Sequence, residues 1–293
     1  MSKLNQKIEL KDGRMLGYDE HGAPDGKPLF YFHGSPSCRV ESGLYVDEQF
    51  LQVQNIRVIA IDRPGMGLSN FQPQRLLLDW PKDVIALADQ LGLERFSILA
   101  YSLGGPFGIA CGFAIPERIH KLGIVSGAAL FTNNNLIKNV NPKTLQFINM
   151  PRENPLAACF FLTIMLVIMP RLAPRRFIAG ALSALPEADR EVVQSDKTFQ
   201  EGFSKMIREA MRQGTKGAYH ESLLNITDWG FQLEGIQTPV MLWHGEQDKN
   251  IPVEMARSMC STLQNCKGKF FPGEGHISLF KKHSSEFIHS LIE

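Results

Sequence analysis

The chain lacks the patterns that would tie it to a metal, a nucleotide or a disulfide scaffold. HExxH, GxGxxG, CxxC and the phosphate-loop pattern are all missing from its 293 residues. Zinc ligands at helical spacing, a dinucleotide cradle and a redox or zinc pair are therefore not expected, and no cofactor is implied. The cysteines are few and odd in number, at 38, 111, 159, 260 and 266, so neither a disulfide framework nor a metal site is expected. A reducing, cytoplasmic setting fits them. Charge of one sign is also scarce: 31 Lys and Arg stand against 30 Asp and Glu, with no long block of either. Such a balance leaves no electrostatic footprint for nucleic acid. The opening MSKLNQKIELKDGR is polar and lacks the apolar stretch of a secretory signal. One segment raises a membrane question, the fourteen uncharged residues Leu156–Met169. A spanning helix needs roughly 20 apolar residues, so a packed or interfacial helix is expected and a stable span is not. Arg171, Arg175 and Arg176 follow the run and leave reversible lipid contact through 156–176 open.

What is present reads as a large soluble-type core, with 44% hydrophobic and 21% charged residues. Strands are expected over Lys7–Leu10, Arg14–Glu20, Pro28–His33, Arg57–Ile61, Arg95–Ala100 and Leu122–Ser126, then again over Pro239–Trp243 and Lys269–Phe271. Several are near-continuous apolar runs (PLFYFH, RVIAI, FSILA), as strands covered on both faces by helices are. Leu77, Trp80, Val84, Leu87, Ala88 and Leu91 recur at helical spacing between them. Strand–helix alternation of this kind predicts a mostly parallel sheet with helices on both faces, an α/β fold. The rhythm stops over 129–230, which is helical and proline-punctuated, and resumes before a last helix over Ser284–Ile292. The expected organisation is a core of 1–128 and 231–293 with a helical cap or lid inserted at 129–230.

The segment most informative for chemistry is RFSILAYSLGGPFGIACG, residues 95–112. An apolar strand runs into Ala100-Tyr101-Ser102-Leu103-Gly104 and on into a helix. Such a sharp turn strains the residue at its apex and needs small residues two positions to either side. Ser102 would stand at the sheet's carboxyl edge beside a helix N-terminus; read alone, it serves equally well as a helix cap. A serine nucleophile needs a base and an acid to orient it. Asp248, in MLWHGEQDKNIP, and His276, in FFPGEGHISL, both follow expected strands, His276 in a Gly-rich loop. Glu246 is an alternative acid. Ligand sites of open α/β sheets form beyond such strand ends.

The stretches YFHGSP (31–36), IDRPGMGLS (61–69), AYSLGG (100–105), WHGEQDKNIP (243–252) and GEGH (273–276) together resemble the α/β-hydrolase superfamily, in its branch with a helical cap after the sixth strand. Alanine replaces the usual first glycine of the serine turn at 100. The resemblance implies an eight-stranded sheet, Ser102 as nucleophile, His276 as base and Asp248 as the orienting acid. It also implies an oxyanion hole from the backbone N–H groups of Ser35 and Leu103, supported by His33, Gly34 and Asp62, with His33 in a structural role. No metal or cofactor follows from it. Serine at 102 argues against the members that use an aspartate nucleophile. The implied substrate is a small molecule, most simply a carboxylic ester, with an apolar group suggested by Phe160, Phe161, Met165 and Met169. Carbon–carbon bond hydrolases, lyases, haloperoxidase-like members and non-catalytic binders share the pattern, because fold does not fix function.

Overall fold

A computed structural model describes residues 2–129 and 149–293. The first part of the expected insertion, 130–148, lies outside the described residues. Eight strands form one sheet: β1 (Lys3–Glu9), β2 (Met15–Gly22), β3 (Lys27–Phe32), β4 (Ile56–Ile61), β5 (Phe96–Tyr101), β6 (Ile119–Val125), β7 (Val240–Gly245) and β8 (Cys266–Phe271). Their order is β1-β2-β4-β3-β5-β6-β7-β8. β1 pairs antiparallel with β2, and β2 with β4, while the other neighbours run parallel. All eight expected strands are present.

The apolar runs divide their residues between two cores with a period of two, as the pleat requires. Phe30 and Phe32 of β3, Ile59 and Ile61 of β4, and Ile98 and Ala100 of β5 face one cluster. Leu29 and Tyr31, Val58 and Ala60, and Leu99 and Tyr101 face the other. Helices α2 (Trp80–Gln90), α3 (Gly105–Ala114) and α9 (Val253–Thr262) cover the first face through Trp80, Val84, Phe107, Cys111 and Met255. On the second face lie α1 (Glu48–Val53), through Leu51, and α10 (His276–Ile292), through Leu279, Phe280, Phe287 and Leu291.

Between β6 and β7 the described chain is helical: α4 (Pro155–Leu162), α5 (Pro174–Ala184), α6 (Glu187–Ser195), α7 (Lys197–Ala210) and α8 (Lys216–Leu224). Asn154 caps α4 through its side chain, and Pro155 opens it where a missing N–H costs nothing. A wider-wound stretch, Thr163–Ile168, carries that helix on to Leu172. This helical insertion meets the sheet domain at a third cluster, in which Phe177, Met206, Ile207 and Met211 pack on Cys38 and Met66.

Two expectations are corrected. The last helix begins at His276, eight residues before the expected start, so His276 opens a helix and is not held in a loop. Cys260 and Cys266 form a disulfide, where no disulfide was expected. The turn from α9 into β8 brings their Cα atoms to 5.4 Å, within bonding reach. A six-residue separation has no sequence signature of its own.

Candidate active site

Ser102 follows β5 directly, with φ +54°, the left-handed region that costs a non-glycine residue roughly 1–3 kcal/mol. The chain then winds through Ser102–Gly104 into α3. The turn is tolerable because its neighbours are small. A Cβ on Gly104 would run into the Phe32 and His33 carbonyl oxygens, and one on Gly108 would lie 3.0 Å from the Ala100 Cβ. Alanine at 100 therefore still fits, and a larger side chain would collide with α3.

The structure brings three of the expected residues together. His276 Nε2 lies 2.9 Å from Ser102 Oγ, and its Nδ1 lies 2.7 Å from Asp248 Oδ2. All three are buried. Asp248 Oδ1 accepts the backbone N–H groups of Asn250 and Ile251 at 2.8 and 2.9 Å, which fixes its plane. Glu246 is not part of the group; it pairs with Arg257 at the surface. Burial disfavours charge on His276, but Asp248, with Asp189 and Glu41 farther off, outweighs it and holds the imidazole pKa above its usual value. Burial likewise opposes ionisation of Asp248, yet the His276 contact keeps it below the ordinary carboxylate range. The arrangement can take a proton from Ser102 and stabilise the resulting imidazolium.

The loop after β3 is held from behind. Arg63, fully buried, donates to the His33 carbonyl and, at 2.8 Å, to the Gly34 carbonyl. Because C=O and N–H point opposite ways across a trans peptide, anchoring the Gly34 carbonyl also fixes the direction of the Ser35 N–H. Ser35 and Leu103 both line that cavity. The Gly34 N–H is already used, donating to Glu41 at 2.7 Å. His33 sits behind the loop, with Nδ1 2.7 Å from the Gly34 carbonyl and Nε2 facing the Arg63 N–H at 3.3 Å. Burial first, then Arg63, keeps it neutral, well below the usual pKa. Asp62 accepts the Arg39 and Leu68 N–H groups, each at 2.7 Å, and pairs with the Arg39 guanidinium.

Sequence reasoning missed three charged residues of the insertion. Glu221 of α8 pairs with Arg63 at 2.6 Å and with Arg75 at 3.2 Å. Glu209 of α7 pairs with Arg39 at 2.9 Å. Asp189 of α6 accepts the His276 N–H at 3.0 Å. Each looks from sequence like one more charge on a helix, and no local pattern separates it from a solvated one.

Ser102 and His276 lie at the floor of a cavity of about 400 Å³ walled by Leu166, Phe177, Phe203, Met206 and Ile207. No Lys or Arg occurs among its described lining residues, and Glu41 is the acidic one. A larger open depression of about 1010 Å³ lies behind Asp248, lined by Glu187, Arg190, Lys249 and Lys282, and reaches neither Ser102 nor His276. Its polar, open walls suit it poorly to small-molecule chemistry.

An eight-stranded, mostly parallel sheet with a helical insertion after the sixth strand and a serine at a strained strand–helix turn defines an α/β hydrolase. The chain belongs to the alpha/beta hydrolase fold family, whose sequence profile matches residues 27–283. It is similar to the dihydrolipoyllysine-residue acetyltransferase component of the acetoin cleaving system of Pseudomonas putida, at 32% identity over 126 residues. That match spans 43% of this chain and only 33% of the relative. Similarity to the non-heme haloperoxidase of Rhodococcus erythropolis is 25% over 278 residues and covers 92% of each chain. A 2-hydroxy-6-oxononadienedioate/2-hydroxy-6-oxononatrienedioate hydrolase of Paraburkholderia phymatum is 24% identical over 287 residues, covering 94% of this chain and 89% of that one. Among solved structures, an esterase from Exiguobacterium antarcticum superposes with a TM-score of 0.73 at 18% identity, over 99% of this chain and 98% of that one, a likeness of fold.

Proposed function

We propose that the protein is a serine hydrolase that cleaves a carboxylic ester, or a related acyl bond, of a small neutral substrate with an apolar group. The observation that carries this reading is His276 standing between Ser102 and Asp248, at 2.9 and 2.7 Å, on the floor of an apolar cavity. Ser102 Oγ attacks the substrate carbonyl carbon as its proton passes to His276 Nε2. The Ser35 and Leu103 N–H groups receive the oxyanion. His276 returns the proton to the leaving alcohol, leaving an acyl-enzyme. Water, losing a proton to His276, attacks the acyl carbon, and His276 returns that proton to Ser102 Oγ as the Ser102–acyl bond breaks and the acid leaves. His33 and Asp62 brace the oxyanion loop without touching substrate. Residues 129–230 serve as cap over a core of 1–128 and 231–293, and a cytoplasmic setting belongs to the same proposal: the free thiols of Cys38, Cys111 and Cys159 favour it and the Cys260–Cys266 disulfide counts against it.

The cavity's charge supports an ester over a dienedioate. A dicarboxylate brought into this pocket would meet Glu41 and no cation among the described lining residues, and an unpaired buried anion is costly. A p-nitrophenyl ester series from acetate to palmitate tests the reading. Turnover of the short and medium esters is expected, with a transient acyl adduct on Ser102 by mass spectrometry and a fall toward palmitate. Folded protein that hydrolyses none of them, or that cleaves a dienedioate faster, would overturn it.

Contact with a lipid surface through 156–176 is the second part of the proposal. Pro155–Leu172 is long and apolar enough to cross a membrane by length and composition, with 17% of it buried. Leu156, Phe160 and Leu172 are exposed, and so are Arg175 and Arg176, which begin α5. Apolar side chains beside arginines suit an interfacial helix on anionic lipid. Wild type should co-sediment with phosphatidylserine vesicles and the Leu156→Ser/Phe160→Ser variant should stay in the supernatant; equal pelleting of the two would remove this contact.

A further inference from the structure

We propose that Asp189, supplied by the inserted helices, is a positioning residue for His276: its carboxylate holds the backbone that carries the imidazole and adds a negative charge to the ring's surroundings. This rests on His276 acting as the base. Helix α10 starts at His276, so its first N–H groups have no partner within the helix. The residue before it is Gly275, which has no side chain to offer as a cap. Asp189 fills that gap from 87 residues earlier in the chain. Its Oδ2 accepts the His276 N–H at 3.0 Å, and its Oδ1 accepts those of Ile277 and Ser278, both at 2.9 Å. Asp189 is fully buried, and no basic side chain pairs with it among the described residues. The positive end of the α10 dipole takes the place of a counter-ion.

Gly275 is fitted to this arrangement. A Cβ built there would collide with the Asp189 carboxylate. The His276 carbonyl is held from the other side by the Tyr101 hydroxyl at 3.2 Å. One backbone position is thus pinned at its N–H by the insertion and at its C=O by the sheet. A catalytic hydrogen bond such as the 2.9 Å contact to Ser102 is lost when its carrier moves by about 1 Å, which can cost on the order of 100-fold in rate.

Placement and charge have separate signatures. The charged and titratable groups facing His276 are Asp248 and His244 from the end of β7 and its loop, Glu41 from the turn after β3, Tyr101 from β5, and Asp189 from α6. Burial lowers the imidazole pKa, and Asp248, then Asp189 and Glu41, raise it. Removing the Asp189 charge therefore favours the neutral ring. The base becomes available at lower pH, and the acid limb of the rate profile moves down. A purely structural cap would leave that limb where it is.

The insertion then does more than cover the site, since displacing α6 moves the base itself. The test is kcat and KM on a short p-nitrophenyl ester from pH 5 to 9 for Asp189→Asn and Asp189→Ala, with thermal melts and with Ser102→Ala as the blank. Asp189→Asn keeps an acceptor without the charge; its acid limb should shift to lower pH, with kcat down about 10-fold and KM nearly unchanged. Asp189→Ala should lose on the order of 100-fold in kcat. A wild-type acid limb and kcat in Asp189→Asn would overturn the assignment. So would failure of both variants to fold, because the carboxylate would then serve the fold and not the base. If Ser102→Ala retains the activity, the serine-hydrolase reading falls and the role of Asp189 falls with it. An inactive Ser102→Ala beside a wild-type-like Asp189→Asn removes the Asp189 role alone.

Discussion

Ser102→Ala is expected to lower kcat on the best p-nitrophenyl ester by at least about 10⁴-fold while leaving the thermal midpoint within a few degrees of wild type. The size follows from the way the three residues act as a unit. Without Oγ there is no atom for His276 to deprotonate, and what survives is the contribution of the amides and of binding, roughly 10³–10⁴-fold over water. The fold has little to lose. Ser102 is buried at the cavity floor and its side-chain contact is to His276, and alanine carries the same left-handed strain at φ +54°. His276→Ala should fall by a similar factor, and the double variant should fall no further than either single one. Losses that multiply would mean that the two residues act independently, and the hydrogen-bonded chain would not be the catalytic unit. An ester activity equal to wild type in Ser102→Ala would place the chemistry elsewhere.

The parts of this site legible in the sequence are those whose physics is local. The sheet could be read because strands buried on both faces are continuous apolar runs; Phe30, Tyr31 and Phe32 must all be apolar since adjacent residues face opposite cores. The Ser102 turn could be read because a strand cannot bend into a helix there without small residues at 100 and 104. Strand ends pointed to His276 and to Asp248 or Glu246, and the resemblance to the α/β hydrolases favoured Asp248. Asp189, Glu209 and Glu221 were not legible for the same physical reason in reverse. A helix with scattered charges obeys one local rule whether its acids face water or a buried partner. The partners of these three lie 87, 170 and 158 residues away. The start of α10 was obscured similarly: Gly275 and His276 are weak helix openers, and what permits a helix there is a cap from another part of the chain. Asp189 and Glu221 are buried charges that the insertion supplies to groups of the sheet domain, and the half-buried Glu209 adds a further carboxylate to Arg39 beside Asp19 and Asp62.

The second large effect is expected at one of those joints. Arg63→Met should destabilise the protein by about 3–5 kcal/mol, because one partner of a buried pair is left without the other. A fall of the thermal midpoint of roughly 5–8 °C would follow. Glu221 is fully enclosed and among the described residues would keep only Arg75, at 3.2 Å, whose Nε and Nη1 have no partner among them. The guanidinium also stacks over Phe107 at 4.5 Å, a contact methionine only partly replaces. Activity should fall as well, by about 10²–10³-fold in kcat, since the Gly34 carbonyl loses the Arg63 donor and is left with His33 Nδ1 alone to orient the Ser35 amide. The two losses have different origins and separate in the double variant. Arg63→Met/Glu221→Gln removes both charges, so much of the stability should return. The His33 carbonyl remains without its Arg63 donor and the Gly34 carbonyl keeps only His33 Nδ1, so kcat should stay low. Recovery of both together would mean that the loop is positioned by the fold at large and not by Arg63. Acid titration supplies an independent check. Burial alone would raise the Glu221 pKa, but Arg63 and then Arg75 outweigh it and bring it down to about 2. A carboxylate depressed below its unfolded value of about 4.3 adds stability that is present above that value and is lost as pH falls toward the folded one. Wild type should therefore lose this increment between roughly pH 4 and 2. Arg63→Met, with the depression relieved, should lose less over the same interval, and an unchanged slope there would assign the acid sensitivity to another carboxylate.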